Sequence, residues 1–296
     1  CFIGPEGLIA DGATTLRIGG ETLSIGSDKA LAAPAAKAWT TALAELRALA
    51  NKDNLVTIET SPSMDVPVAR PQVMELAARA TALAGGPERV AAGLANGEFA
   101  VYDSAGALHF KKDLGAEVSA IAIIPTPDGI IYVVGTQPTE PQKGGASAPL
   151  YCLDANGNER WRRDNPAFQR RNGTVKSIVP AWFSPDRKVP TLIVGGENQK
   201  YNAMDLDGKD IWNYQGLHGA TVGVAADLDG DGVDEIIAGS EYYYTPTLNA
   251  KGEKIYDRLV AAWINDMIAV DLDGDGNREI IAARCNHALD LHALKG

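Results

Sequence analysis

Two stretches of this 296-residue chain gather carboxylates at a spacing suited to a hard cation. They read Asp227-Leu-Asp-Gly-Asp-Gly-Val-Asp-Glu235 and Asp271-Leu-Asp-Gly-Asp-Gly-Asn-Arg-Glu279. Side-chain oxygens fall at positions 1, 3, 5 and 9 of each, with glycine at 4 and 6. The second glycine, Gly232 or Gly276, lets the chain fold back so that alternate side chains and the position-7 carbonyl turn toward one centre. The expected ligands are Asp227, Asp229, Asp231, the Val233 carbonyl and Glu235 in the first loop. In the second they are Asp271, Asp273, Asp275, the Asn277 carbonyl and Glu279. An all-oxygen set without His or Cys selects Ca²⁺ over zinc or copper, and Mg²⁺ suits it less because it demands a regular octahedron and keeps its waters. Two carboxylates about 4 Å apart repel by roughly 1 kcal/mol in water and about 4 kcal/mol at an effective dielectric of 20, so a metal-free loop is strained. The loops lie 44 residues apart, and two Ca²⁺ sites are expected. Neither is an EF-hand, because Ala238 and Ala282 stand at position 12 and the flanks read as strands.

That spacing belongs to a longer repeat. Val101–Phe110, Cys152–Trp161, Ala203–Trp212 and Thr247–Tyr256 each read strand, Asp/Asn-x-x-Gly turn, and strand with an aromatic four residues after the glycine. A second series of apolar strands ending in a small residue covers Ile130–Gly135, Thr191–Gly195, Glu235–Gly239 and Glu279–Ala283. Several short strands per period of 40–50 residues mark propeller blades. The fullest unit phases as Thr221–Leu228 innermost, then Glu235–Glu241, Tyr243–Asn249 and Lys254–Leu259. Units at 176–215 and 117–164 precede it, a first unit begins near Glu88 without an evident innermost strand, and a last one from Ile264 lacks its fourth strand. The expected fold is therefore mainly β, a propeller of four-stranded blades over 88–296, with about five blades represented and two of them partial.

The segments Asp227–Glu235 and Asp271–Glu279, each followed by Ile-Ile-Ala, resemble the FG-GAP (integrin-α-type) propeller repeats. The turns ending at Trp161 and Trp212 are similar to those of quinoprotein-type propellers. The resemblance implies that each acidic loop joins the first two strands of its blade and holds Ca²⁺. Pro125–Gly129 and Ser184–Lys188, at corresponding places in two earlier blades, lack the ligand set. It also implies that the opposite face carries Glu197, Asn198, Lys200, His218, Glu241, Tyr242, Asn286 and His287, with Arg170, Arg171 and Asn265 on loops nearby. Glu197, Asn198, Glu241 and Asn286 are the candidate ligand-binding residues there.

Upstream the pattern differs. Residues 1–27 read as short strands joined by Gly19-Gly20, the end of a β-sandwich-like domain, and 28–86 as an Ala-rich helical linker. Its helices would run from Ala35 to Ala50 and from Pro71 to Ala84, around a possible strand at Leu55–Thr60. The chain opens at Cys1 and closes in Leu291–Gly296, which reads as a segment of a larger protein whose upstream domain is covalently attached.

Composition narrows the function. Glycine numbers 31 and proline 16, a turn-rich balance; 45% apolar and 22% charged residues exclude wholesale disorder. A formal net charge of −11 argues against a nucleic-acid backbone as partner, and no apolar run is long enough to span a bilayer. Cys1, Cys152 and Cys285 form no disulfide framework. The first reading is a non-catalytic, calcium-stabilised module, extracytoplasmic because such loops bind weakly, that binds or orients a polysaccharide or a protein partner. The resemblance also implies a second, a polysaccharide lyase. There His218, Tyr242 or His287 would move a proton while a cation or an arginine, Arg171, neutralises a uronate carboxylate. A third is an adhesion-type receptor without sugar specificity.

Overall fold

Four Asp/Asn-x-x-Gly turns set the repeating geometry. The Oδ1 atoms of Asp103, Asp154, Asp205 and Asn249 each accept the N–H groups two and four residues on, at 2.8–3.0 Å. Each turn closes on a glycine with φ between 77° and 84°, a left-handed backbone that a side chain opposes. A bulge follows at the same place in every one of these hairpins, for example between Cys152 and Leu153.

The computed structural model describes 2–4, 7–9, 14–18, 21–25 and 57–60, then 75–292 apart from 87, 141–144, 243, 260–262, 273, 275, 277 and 285–288. One unit covers residues 1–71 with 271–276, and the other 72–270 with 277–296. In the first, β1 (Phe2–Gly4) pairs antiparallel with β2 (Gly7–Ile9). A second sheet has the order β4-β3-β5, from β3 (Thr14–Ile18), β4 (Glu21–Ile25) and β5 (Thr57–Thr60). The helix expected over Ala35–Ala50 lies outside the described residues.

The second unit is a succession of antiparallel sheets, each in strict sequence order. Blade 1 contains β6 (Ala80–Gly86), β7 (Arg89–Leu94), β8 (Glu98–Asp103) and β9 (Leu108–Asp113). Blade 2 contains β10 (Val118–Thr126), β11 (Gly129–Thr136), β12 (Ala148–Leu153) and β13 (Glu159–Asn165). Blade 3 follows with β14 (Val175–Ala181), β15 (Thr191–Gly196), β16 (Lys200–Met204) and β17 (Asp210–Gln215). Blade 4 has β18 (Ala220–Ala226), β19 (Glu235–Ser240), β20 (Tyr244–Leu248) and β21 (Lys254–Leu259). Three strands of blade 5 are described: β22 (Ile264–Val270), β23 (Glu279–Arg284) and β24 (Leu289–His292).

Blade 1 corrects the sequence reading. Ala80–Gly86 is the innermost strand, paired with β7 through the same early bulge that marks the first strand of every other blade, so the expected helix ending at Ala84 does not form there. Ala and Leu favour helix only weakly, and tertiary packing overrides them. The first strands pack against one another across neighbouring blades, and the second strands β7 and β11 approach the next blade's first strand so closely that glycine is needed. A Cβ on Gly93 would come within 2.2 Å of Val118 Cγ1, and one on Gly135 within 2.4 Å of Val175.

The hydrophobic core lies between blades. One cluster joins Phe99 and Val101 of blade 1 to Tyr132 and Tyr151 of blade 2. The next joins Ile124, Val133 and Leu150 to Leu192 and Met204. Outer strands add a latch. Trp161 covers Gly208 of the next blade and donates its Nε1–H to the Leu206 carbonyl at 2.8 Å. Trp212 does the same over Gly252, with Ala250 as acceptor at 2.9 Å, and Phe110 covers Gly157. Three of the four aromatics that stand four residues after a turn glycine, Phe110, Trp161 and Trp212, therefore seat on the turn of the following blade, while Tyr256 is exposed.

Candidate functional site

The acidic loop of blade 4 connects β18 to β19. Asp227 shapes it: Oδ1 accepts Gly230 N–H at 2.7 Å and Oδ2 accepts Gly232 N–H at 2.9 Å. Asp229 Oδ1 accepts Asp231 N–H at 3.2 Å, and Asp231 Oδ1 accepts Val233 N–H at 2.7 Å. Gly230 and Gly232 take φ of 80° and 86°. Carboxylate oxygens of Asp227, Asp229 and Glu235 lie within 4.8 Å of one another. Oxygens bound to one Ca²⁺ at about 2.4 Å are at most about 4.8 Å apart, so this trio fits a single calcium ion. Asp231, exposed and turned to the Val233 amide, stands outside the trio.

Glu235 is the buried member, and Leu228 N–H donates to its Oε2 at 3.0 Å. Burial pushes its carboxyl up to about 7 against that hydrogen bond, and the charges of Asp229, Asp231 and Asp227 add to the rise. A cation at the centre would reverse this by favouring the charged form.

Sequence reasoning missed Asp234. It is 1% exposed and tied to blade 3: Arg187 Nη1 donates to its Oδ1 at 2.7 Å and Trp182 N–H to its Oδ2 at 2.8 Å. Arg187, at φ 46°, also lies over the Trp182 ring, 4.9 Å from its centroid. The Ser184–Lys188 turn, an ordinary turn by sequence, thus holds the neighbouring acidic loop in place. The available signal was the extra acid at position 8.

In blade 5, Asp271 shapes its loop identically, accepting Gly274 N–H at 2.7 Å and Gly276 N–H at 3.0 Å. Gly274 and Gly276 have φ of 74° and 93°. Glu279 opens β23 and is buried. Asp273, Asp275 and Asn277 lie outside the described residues.

The β17–β18 connection and the β19–β20 turn fall at the opposite end of the strands from the β18–β19 loop. There Arg171 bridges two acids, with Nη1 2.6 Å from Glu197 Oε1 and 2.7 Å from Glu241 Oε2. Glu241, 4% exposed, also accepts Gly219 N–H at 3.3 Å, and Lys176 adds a second cation 3.3 Å from Glu197. Asn198 is fully buried, its Nδ2 donating to the Pro166 carbonyl at 2.7 Å and to Asn165 Oδ1 at 3.2 Å. These groups knit the connections between blades together. Lys200 sits over the Phe168 ring, while Arg170 and Asn265 are exposed. His218 and Tyr242 do meet, edge to face, with centroids 5.6 Å apart. Asn286 and His287 lie outside the described residues.

No protein-family model matches the chain, and no curated protein matches it. Solved structures do. It is similar to BBS1N in a crystal structure with ARL6DN soaked with lead, at 13% identity and TM-score 0.57, over 81% of this chain and 69% of that one. The same complex soaked with mercury matches at 15% identity and TM-score 0.55, over 70% of this chain and 56% of that one. BamB from Moraxella catarrhalis matches at 16% identity and TM-score 0.47, over 72% and 57%. The fold is a β-propeller. The chain spans little more than half of two of these three structures. Among the described residues no helix is long and apolar enough to cross a membrane.

Proposed function

We propose that the chain is a calcium-stabilised, non-catalytic propeller module of the FG-GAP type that works outside the cytoplasm and binds a protein partner through the face opposite its acidic loops. The observation that carries the reading is the convergence of Asp227, Asp229 and Glu235 on one centre. Asp227 and Glu235 are further fixed by backbone N–H groups, so the ion would bind a loop already folded around it. The extracytoplasmic setting rests on the calcium reading, since extracellular calcium modules bind at about 10⁻⁴–10⁻³ M. A protein partner has a precedent in BBS1N, which was crystallised in complex with ARL6DN.

One observation weighs against the lyase alternative. The arginine that would neutralise a uronate carboxylate already bridges Glu197 and Glu241. Equilibrium dialysis against ⁴⁵Ca²⁺, with polygalacturonate incubation in parallel, tests both halves. Saturable binding weakened by Asp229→Ala, with no unsaturated uronate formed, is the expected result. Absence of bound calcium would overturn the metal assignment, and unsaturated product would overturn the non-catalytic one.

A further inference from the structure

The turn that joins β14 to β15 in blade 3 meets the acidic loop of blade 4 at two places. Pro185 packs against the loop's second glycine, where a Cβ on Gly232 would come within 3.2 Å of Pro185 Cβ. Trp182 and Arg187 take hold of Asp234. Its N–H donates to the Trp182 carbonyl at 2.9 Å, and Trp182 N–H donates in return to Asp234 Oδ2 at 2.8 Å. The Arg187 guanidinium forks over both carboxylate oxygens, at 2.7 Å to Oδ1 and 3.4 Å to Oδ2.

Asp234 stands outside the calcium trio, yet it separates two expected ligands, the Val233 carbonyl and Glu235. Its N–H and the Val233 carbonyl belong to one planar trans peptide and point in opposite directions. The bond to Trp182 therefore fixes which way that carbonyl faces. Glu235 follows directly and opens β19. The carboxylates of Asp227, Asp229 and Asp231 are oriented by N–H groups of the loop itself, whereas the loop's closing segment is oriented from blade 3.

Arg187 is shaped for this contact. Its φ of 46° is a left-handed conformation that costs an ordinary side chain about 1–2 kcal/mol. A turn that only reversed the chain would place glycine there. Here the conformation delivers a guanidinium, 44% exposed, onto a carboxylate that is 1% exposed and would otherwise be a buried unpaired charge. The blade 5 loop has no such carboxylate to hold, because Arg278 occupies position 8 and is exposed.

We infer that Arg187 is a positioning residue for calcium: by holding Asp234 it presets the Val233 carbonyl and Glu235, so that blade 3 sets the calcium affinity of the blade 4 loop. The inference rests on the calcium reading above and adds to it a residue that touches no ion.

The test is equilibrium dialysis of the full chain against ⁴⁵Ca²⁺ in an Asp273→Ala background, which removes an expected ligand of the blade 5 loop so that the blade 4 loop is read alone. Arg187→Gln combined with Asp234→Asn deletes the ion pair without changing the net charge, so a change in Kd reports position rather than field. Loss of a partner that orients metal ligands costs about 10–100-fold in affinity, and a rise in Kd of at least about tenfold is expected, equivalent to about 1.4 kcal/mol. Arg163→Gln with Asp210→Asn treats in the same way an ion pair between the outermost strands of blades 2 and 3, 2.8 Å long, and should leave Kd unchanged. Melting in chelator shows whether each variant folds. Should the Arg187→Gln/Asp234→Asn protein fail to fold, Arg187→Lys, which keeps the charge and loses the fork, carries the test and should weaken binding by about threefold. Parental affinity in the Arg187 variant that folds overturns the positioning role and leaves the calcium reading standing. An equal loss in the Arg163→Gln/Asp210→Asn control also overturns it, since any loosened blade contact would then suffice. Absence of saturable binding in the Asp273→Ala protein itself overturns both.

Discussion

Arg171 distinguishes a structural from a catalytic account of the propeller face. Its guanidinium joins three connections, donating to Glu197 and ion-pairing with Glu241, and its side chain is 29% exposed. In Arg171→Ala, Lys176 still faces Glu197, but Glu241 retains only the long bond from Gly219 N–H. Leaving a buried charge unpaired costs about 3–5 kcal/mol, and partial exposure of the arginine places this case near about 3. At roughly 2–4 °C per kcal/mol for a domain of this size, the melting temperature should fall by about 6–12 °C. Glu241→Gln removes the stranded charge, so the double variant should recover at least about 1 kcal/mol relative to Arg171→Ala alone. Differential scanning calorimetry of the four proteins closes the cycle. An arginine held ready for a substrate carboxylate would leave the melting temperature within about 2 °C of the parent, and that outcome would refute the structural assignment.

Further outcomes follow from the same geometry. Gly252 and Gly115 both hold positive φ, 77° and 73°, but a Cβ at Gly252 meets Trp212 at 2.6 Å while one at Gly115 meets nothing within 4 Å. Gly115→Ala should cost about 1–2 kcal/mol for backbone conformation alone, and Gly252→Ala at least about 1 kcal/mol more, read by urea unfolding; equal costs would sink the latch. Burial pushes the Cys152 thiol up to about 11, so in a Cys1→Ser/Cys285→Ser background it should resist a thiol reagent at pH 8 until the protein is denatured. For the chelated protein, the Glu235 carboxyl is raised to about 7 from 4.5. The folded state then binds the proton more tightly, and stability should decline as pH rises through that window. A rise in stability across the same range would contradict the placement of Glu235.

Much of this architecture is legible in the chain because its signals are local. Asp154-x-x-Gly157 and its relatives specify a turn through one carboxylate and one left-handed glycine, and the aromatic four residues later marks the latch. The acidic loops are likewise written in one continuous stretch. What escaped depends on distant partners. Ala80–Ala84 is rich in helix formers, and it is pairing with β7 and packing against β10 that make the segment β. Glu197, Asn198 and Glu241 carry ligand-like side chains, yet Arg171 and Asn165 come from other connections to satisfy them. Asp234 was overlooked for the same reason, since its partner Arg187 is 47 residues away in sequence.

Calcium-dependent thermal unfolding addresses the central claim most directly. The chain is melted with Ca²⁺, with Mg²⁺ and with chelator, beside the Asp229→Ala variant. A ligand bound only by the folded state at a hundredfold excess over its Kd adds about 2.7 kcal/mol per site, or roughly 5–11 °C at the sensitivity of a domain this size. The account predicts a rise of that order with Ca²⁺, little with Mg²⁺, and a clearly smaller rise in Asp229→Ala. An identical melting temperature with calcium and with chelator would contradict it, and would leave a propeller whose acidic loops hold no ion.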